Sequence, residues 1–245
     1  MEELKILSPG QRLRKLRKKL GLTQAELASN NISKNYISMF ENGKRPINMI
    51  NATYLADTIN NKAKEKNIDI NITPSYFIKT ERDIAKELCD KSLERVSNNN
   101  KLNKYNKYRE LYKAIYLAEK YAFTDLLAKS LKLKGKVLYK NGLYFCAITH
   151  LQKSLLYYFK EGDNKGVYNS YVAIGKSYFM DQNYHMAIVY FNLASKYGNE
   201  DNMLYFKALC YYKKGQYEVA KGIIDKIIFK DERVLELEKK ISNII

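Results

Sequence analysis

The amino-acid sequence predicts an all-α protein with two parts, a small N-terminal domain of five helices and a C-terminal α-solenoid of helical repeats. Residues 11–45 place apolar side chains at helical spacing between strong capping signals. In its second half, the sequence aligns with itself in three related blocks. The predicted boundaries are 1–66 for the N-terminal domain, 67–104 for a linker with one amphipathic helix, and 105–245 for the repeats.

The first predicted helix begins after Ser8, a good capping residue, with Pro9 in the first helical position. Its apolar stripe is formed by Leu13, Leu16 and Leu20. Basic residues are expected on its other faces: Arg12, Arg14, Lys15, Lys18 and Lys19. Gly21 can supply the positive φ that ends this helix.

Two more helices follow at short intervals. Thr23 and Glu26 have the spacing of a capping box and predict a short second helix. After a turn at residues 29–32, Ser33 caps a third helix, whose Ile37 and Phe40 are expected to face the core.

The outer face of this third helix carries polar side chains suited to reading DNA. Asn35 can pair with adenine and Lys34 with guanine in the major groove, while Tyr36 and Met39 either touch a thymine methyl group or pack. Other side chains are better placed for phosphate, which positions a protein without reading sequence. The predicted DNA-binding set is Gln24, Ser33, Lys34, Asn35, Tyr36, Ser38, Met39, Asn42, Lys44 and Arg45.

The segments GLTQAELA, SKNYIS and FENGKRP resemble the Xre or lambda-repressor-like helix-turn-helix family. The resemblance implies a lambda-repressor-like DNA-binding domain with an internal ion pair between Arg17 and Glu41. It also implies that the bundle is completed by Ile47, Ile50, Leu55, Ala56 and Ile59. The turn before Ser33 is one residue shorter than the commonest family pattern, as in peptide-sensing regulators of the Rgg, PlcR and PrgX kind. The competing interpretation is a generic helical bundle with a basic surface.

The connector gives weaker signals. Residues 67–72 alternate polar and apolar side chains, as either a short strand or an extended linker would. Residues 80–96 predict an amphipathic helix, with Ile84, Ala85, Leu88, Cys89 and Val96 along one stripe. Its partner is either a second subunit or the following repeats. The polar segment 97–107 is the predicted flexible boundary.

Each repeat block starts with a small residue, followed by packing residues 12, 16 and 19 positions later. The three sets are Gly135, Ala147, Leu151 and Ser154; Gly175, Ala187, Phe191 and Ala194; and Ala208, Ala220, Ile224 and Ile227. Tyr144, Tyr184 and Tyr217 occupy the matching aromatic position, each just after a turn signal. These blocks resemble tetratricopeptide repeats, which implies stacked helix pairs with a concave surface.

In tetratricopeptide register, that surface carries lysines, amides and tyrosines: Lys129, Lys132, Lys136, Lys140, Asn169, Lys176, Asn202, Tyr205, Tyr212 and Lys213. Amides can hold an extended peptide backbone, and lysines can attract its carboxylates. A ligand groove is the favoured interpretation. A solvated lysine face and a second nucleic-acid contact are the alternatives.

Composition favours a polyanionic partner, because the formal net charge is +17. The excess lies in two stretches: residues 1–66 carry 13 Lys/Arg against 6 Asp/Glu, and residues 101–140 carry 11 against 3. Cys89, Cys146 and Cys210 have no metal-ligand spacing, and neither a secretory start nor a membrane span is visible. We therefore expect a cytoplasmic protein.

Catalysis has little support. His150 and His185 each stand alone on a predicted helix, and no phosphate loop, metal-ligand cluster or nucleophile elbow is present. The sequence therefore predicts no enzyme activity, no cofactor and no metal.

The combined architecture resembles the RRNPP quorum-sensing regulators. The resemblance implies a homodimer that binds double-stranded DNA and is controlled by a short peptide or a protein bound to the repeats. The alternatives are a repeat-based adaptor tethered to DNA without a diffusible peptide, and an RNA-binding protein that uses the basic 101–140 surface.

Overall fold

In the computed structural model, which describes residues 5–30, 32–99, 101–198 and 200–245, every regular element is helical. The helices are α1 Pro9–Lys19, α2 Lys34–Glu41, α3 Met49–Glu65, α4 Ser75–Ile78, α5 Glu81–Asn98, α6 Lys104–Lys120, α7 Thr124–Lys140, α8 Tyr144–Glu161, α9 Asn164–Met180, α10 Tyr184–Ser195, α11 Glu200–Lys213, α12 Tyr217–Ile224 and α13 Glu232–Ser242. A 3-10 turn, Ala25–Leu27, lies between α1 and α2. The chain divides into two compact units, Met1–Leu88 and Cys89–Ile245. The predicted all-α fold class is confirmed.

The first helices of the N-terminal unit begin and end where their capping residues predict. The Ser8 hydroxyl accepts from the Gln11 amide at the start of α1, and Gly21 has a φ of 65° just after its end. The capping box is also present, since the Thr23 amide donates to Glu26 at 2.7 Å. The short helix predicted after Thr23 is, however, only one 3-10 turn.

The compact N-terminal unit is longer than the 1–66 segment that the sequence predicts. Phe77 of α4 is fully buried in the same core as the side chains of α1 to α3. Arg12, predicted to lie on an outer face of α1, is only 4% exposed. Its guanidinium donates to the backbone carbonyls of Leu7, Tyr76 and Lys79 and so ties α1 to the α4 segment.

The segment between α3 and α4 also belongs to this core, without forming a strand. Ile68, Ile70 and Ile72 pack against the core as irregular chain. The Asn60 side chain holds the segment through two hydrogen bonds of 2.9 Å with the backbone of Ile72. Ile50 corrects another expectation. It lies in the first turn of α3 and is 79% exposed, so it does not complete the bundle as Leu55, Ala56 and Ile59 do.

In the second unit, the α5 residues from Cys89 onward pack against α6. The Cys89 thiol donates to the Ala114 carbonyl, and the Ser92 hydroxyl donates to Glu110 at 2.7 Å. For these residues, the partner of the predicted apolar stripe of 80–96 therefore lies within the same chain. The predicted flexible boundary is residues 97–107. Residues 97–98 belong to α5 and residues 104–107 to α6, while residue 100 lies outside the described residues.

The repeated blocks form successive helix pairs: α7 with α8, α9 with α10, and α11 with α12. Glycine is needed where the first helix of a pair meets the second. A Cβ atom on Gly135 would lie 2.6 Å from Leu151 Cγ, and one on Gly175 would lie 2.6 Å from Phe191 Cε1. Ala147, Ala187 and the other predicted packing residues are buried. The helical-repeat part of the fold prediction is therefore confirmed.

The turn inside each pair has the same construction three times. Tyr144, Tyr184 and Tyr217 each begin the second helix, and each ring lies 5.5–5.7 Å from an aromatic ring on the preceding helix. The residue two positions earlier has a positive φ in every case: Gly142, Gln182 and Gly215. The predicted turn signals thus correspond to one repeated helix–turn–helix geometry.

Candidate nucleic-acid interface and ligand groove

The α2 helix divides its side chains between a buried face and an exposed face. Ile37 and Phe40 are at most 1% exposed in the core. The Ser33 hydroxyl caps the helix by accepting from the Tyr36 amide at 3.4 Å. Gly10 of α1 lies so close that a Cβ atom there would stand 2.0 Å from the Phe40 carbonyl oxygen. The position of α2 is therefore fixed by direct packing of its backbone against α1.

An ion pair also fixes α2. Arg17 Nε lies 2.5 Å from Glu41 Oε1, and Arg17 Nη2 lies 2.9 Å from Oε2, with the Glu41 side chain only 2% exposed. Burial acts to raise the pKa of Glu41, but hydrogen bonds from Arg17 and Gln24 outweigh it and leave this pKa below its usual value. Arg17 therefore has a structural role in fixing α2, as the family resemblance implies. We call the Arg17–Glu41 pair the frame of this helix.

The predicted DNA-contacting residues lie on and beside α2. Most of them are exposed: Ser33, Lys34, Asn35, Tyr36, Met39, Asn42, Lys44 and Arg45. Ser38 is half-buried, and its hydroxyl accepts from Asn42 Nδ2 at 3.4 Å. Gln24 is half-buried, and its amide donates to Glu41 at 3.0 Å. Part of the hydrogen-bonding capacity of Gln24 is thus used by the frame.

One arrangement on this face is not visible in the sequence pattern. The Arg45 guanidinium lies over the Tyr36 ring, 4.4 Å from its centroid, although the two residues are nine positions apart. Cation–π contact of this kind orients the guanidinium at the exposed surface. The sequence shows a basic residue after α2, Arg45, and an aromatic residue within it, Tyr36, but not the contact between them.

The ten predicted groove residues are distributed over two cavities and the surrounding surface. Lys136, Asn169 and Lys176 line a cavity of about 250 Å³ together with Tyr139, Leu151, Val172 and Ala173, and we call it the α7–α9 cavity. Asn202 and Tyr205 line a second cavity of about 370 Å³ near Phe229, Asp231 and Arg233. The other predicted residues, Lys129, Lys132, Lys140, Tyr212 and Lys213, line neither cavity.

Several of those remaining groove residues have other partners. Lys129 forms an ion pair with Asp125 at 3.4 Å. The Lys132 ammonium lies 4.8 Å from the centroid of the Tyr158 ring, and burial lowers its pKa, as does nearby Lys136. Lys140 and Lys213 are exposed near the ends of α7 and α11.

The aromatic and cationic neighbours of the α7–α9 cavity are not visible in the sequence. Lys176 holds its ammonium 4.6 Å from the centroid of the Phe206 ring on α11. Burial lowers the pKa of Lys176, and the positive charges of Arg233 and Lys136 lower it further. These contacts join residues far apart in the chain, so the repeat register alone does not reveal them.

No group of three or more His, Cys, Asp or Glu side chains that could hold a metal ion occurs among residues 5–30, 32–99, 101–198 and 200–245. His150 is half-buried on α8, where burial first, and then Lys134 and Lys153, lower its pKa to about 4. His185 is exposed on α10. Within these same ranges, no helix is both long enough and apolar enough to cross a membrane.

Comparison with known families agrees with the geometry of the N-terminal unit. Residues 10–81 match the protein family described as "Helix-turn-helix domain". The matched range includes α4 and Phe77, which lie beyond the boundary predicted at residue 66. The N-terminal unit therefore contains a helix-turn-helix domain, the class of fold that places a recognition helix in the major groove of DNA.

Two solved structures match almost the whole chain at low similarity. One is Bacillus thuringiensis PlcR in complex with the peptide PapR7 and DNA, 13% identical, with a TM-score of 0.31 over 97% of this chain and 99% of that chain. The other is a tyrosine-to-cysteine mutant of PrgX, 18% identical, with a TM-score of 0.25 over 97% of this chain and 94% of that chain. These values are too low to transfer a ligand or an activity. No curated protein matches the chain.

Proposed function

We propose that the protein is a cytoplasmic, sequence-specific DNA-binding transcription regulator, controlled by a peptide or protein ligand that binds its repeat unit. The observation that carries the DNA-binding part is the exposed polar face of α2 on a fixed frame. Lys34 and Asn35 are exposed on this face, while the ion pair between Arg17 and the buried Glu41 side chain fixes the helix in the unit. A recognition helix needs this division between a rigid buried face and an open polar face.

In this proposal, the exposed side chains have two kinds of role. Lys34 and Asn35 contact base edges, with Tyr36 and Met39 beside them for apolar contact with a thymine methyl group. Phosphate contacts come from the residues around them: Gln24, Ser33, Ser38, Asn42, Lys44 and Arg45. Because the ring of Tyr36 supports Arg45, the guanidinium of Arg45 is oriented before DNA arrives.

We further propose a homodimer on DNA. Two recognition helices about 34 Å apart would contact half-sites separated by about one helical turn. The operator is then expected to be an inverted repeat with that spacing.

The DNA-binding proposal is tested by selecting binding sites from a random duplex pool with the full-length protein. Lys34→Ala and Asn35→Ala should each cost about 1–3 kcal/mol at one base position and relax selection there. Lys44→Ala is the matched control in the same unit, because loss of a phosphate contact weakens all sequences alike. Selection that gives no preferred sequence with the wild-type protein would refute sequence-specific regulation.

Ligand control is supported by the α7–α9 cavity. The amide nitrogen of Asn169 donates to the Lys165 carbonyl at 2.7 Å, which leaves its amide oxygen to accept from a peptide N–H. Asn169 lies beside Lys136 and Lys176 in this cavity. A ligand that binds one arrangement of the dimer more tightly than another would shift the DNA affinity.

Ligand control is tested first by searching beside the gene for a small secreted-peptide reading frame, whose absence would weaken peptide sensing, and then with the synthetic peptide that such a frame encodes. The wild-type protein and Asn169→Ala are titrated with that peptide, and DNA affinity is measured with and without it. We expect weaker binding to Asn169→Ala and a change in DNA affinity with the wild-type protein. Equal affinities would remove Asn169 from the contact set. Binding without any effect on DNA would favour the adaptor alternative.

A further inference from the structure

Lys136 and Lys176 occupy the same position in successive repeats. Each directly follows the glycine that allows its helix pair to pack closely, Gly135 or Gly175. Both lysines line the α7–α9 cavity. The third repeat has Leu209 at this position, so the paired lysines occur at only one level of the stack.

These two lysines differ from the neighbouring cations in their partners. Lys129 is paired with Asp125, and Arg233 is paired with Asp231 at 2.6 Å. Across the described residues, neither Lys136 nor Lys176 has a carboxylate oxygen within 4.0 Å. The ammonium of Lys176 lies over the ring of Phe206, which carries no net charge. Within the described ranges, the positive charge of these two lysines is therefore not paired with a carboxylate.

The other walls of the cavity restrict what can enter. Leu151, which is fully buried, Val172 and Ala173 give apolar wall, and Tyr139 also lines the cavity. A volume of about 250 Å³ is slightly below the range of about 300–1,000 Å³ typical for sites that enclose a drug-sized ligand. The cavity therefore fits one side chain or one end of a longer ligand.

We propose that the α7–α9 cavity binds a carboxylate of the regulating peptide between the ammonium groups of Lys136 and Lys176. This inference rests on the ligand control proposed above and specifies the chemistry of that ligand. A carboxylate accepts charge-assisted hydrogen bonds from both lysines, and its charge offsets the repulsion between them. The apolar wall then packs against the adjoining carbon atoms of the peptide. A C-terminal carboxylate and an Asp or Glu side chain share this chemistry.

The test uses four pools of synthetic random hexapeptides and the full-length protein. The pools have either a free or an amidated C-terminus and either include or omit Asp and Glu. Bound peptides are separated from free peptides by size exclusion and identified by mass spectrometry. The test variant is Lys136→Gln with Lys176→Gln. Its matched control is Lys153→Gln with Lys221→Gln, which removes the same charge from exposed lysines outside both the cavity and the predicted groove set.

We expect the wild-type protein and the control to retain peptides only from pools that contain a carboxylate. The pool with a free C-terminus and no Asp or Glu, and the amidated pool with Asp and Glu, then show which source of carboxylate is used. Retention by the double cavity variant should fall at least about tenfold. Lys136→Gln alone is a second variant, because Lys136 is exposed and its replacement leaves the fold intact.

Three results would overturn the proposal. Equal retention of the amidated pool that lacks Asp and Glu would reject the carboxylate site but leave peptide control standing. Equal losses in the cavity variant and its control would show general electrostatic attraction instead of a site. Failure of the wild-type protein to retain any pool would reject both the site and peptide control. DNA binding by the same preparations shows separately that the helix-turn-helix domain is folded.

Discussion

The least exposed cations of the N-terminal unit donate hydrogen bonds to oxygen atoms, although Arg12 also lies over the Tyr76 ring, whereas those of the repeat unit lie over aromatic rings. Arg17 pairs with Glu41, and Arg12 donates to three backbone carbonyls. In the repeat unit, Lys134 is 7% exposed and lies 4.1 Å from the centroid of the Tyr112 ring, and Lys176 lies over Phe206. A carboxylate neutralises a cation and fixes its geometry, but a ring leaves its net charge intact. The first unit thus gains a rigid frame, and the second retains charge for a ligand.

The largest predicted effect is the loss of the frame in the N-terminal unit. Glu41→Ala leaves Arg17 without its counter-charge in a mostly buried position, and should destabilise the unit by about 3 kcal/mol. Hydrogen–deuterium exchange resolved to α1 and α2 measures this change. Glu236→Ala is the control, because its pair with Lys240 is 65% and 55% exposed and should contribute less than about 0.5 kcal/mol. Similar losses from both variants would contradict the role given to the frame.

The Arg17–Glu41 pair predicts that the stability of the N-terminal unit depends on pH under acidic conditions alone. Because the folded-state pKa of Glu41 lies below its ordinary value of 4.5, the stabilisation is present above that value and is lost as pH falls through the folded pKa. Urea unfolding followed by circular dichroism should show a constant difference between the wild-type protein and Glu41→Gln near neutral pH. The difference should shrink below pH 4.5. A difference in unfolding free energy that grows in acid would contradict a lowered folded-state pKa for Glu41.

Packing in the repeat unit predicts a smaller effect. Gly175→Ala places a Cβ atom 2.6 Å from the fully buried ring of Phe191, and should cost about 1–2 kcal/mol after the gain in helix propensity. Gly222→Ala on α12 is the matched control, since among the described residues no atom beyond its chain neighbours and its own helix backbone lies within 4 Å of the new Cβ. It should stabilise the unit by up to about 1 kcal/mol. Exchange rates in α9, α10 and α12 distinguish the two, and equal effects would refute close packing at Gly175.

The smallest effect is expected for the cation of the α7–α9 cavity. Lys176→Met keeps the apolar length of the side chain and leaves no carboxylate unpaired, so stability should change by less than about 1 kcal/mol. Hydrogen–deuterium exchange in α9 and α11 measures this change in stability. A loss as large as that of Glu41→Ala would mean that the two units bury charge in the same way.

Local signals in the sequence predict much of this architecture. Ser8, Thr23 and Ser33 cap where hydroxyl chemistry indicates, and Gly21, Gly142 and Gly215 adopt positive φ at the ends of helices. Repeat spacing likewise identifies the packing residues of the helix pairs. Each of these signals depends on neighbours within about one turn of helix or on a fixed repeat.

Contacts between distant segments were harder to predict. Helical periodicity placed Arg12 at the surface, because the carbonyl groups that bury it come from residues 76 and 79. The family resemblance placed Ile50 in the core, yet it is exposed in the first turn of α3. Repeat register placed Lys136, Asn169 and Lys176 on one surface, but not the contact between Lys176 and Phe206. Tertiary packing decides these positions.

The central proposal is that the exposed face of α2 reads a specific DNA sequence. Footprinting of the DNA upstream of the protein's own gene, with the purified full-length protein at moderate salt, tests this most directly. We expect a discrete protected site with two half-sites about one helical turn apart, and loss of that protection with Asn35→Ala. Uniform protection that disappears with increasing salt, or a footprint unchanged by Asn35→Ala, would contradict it.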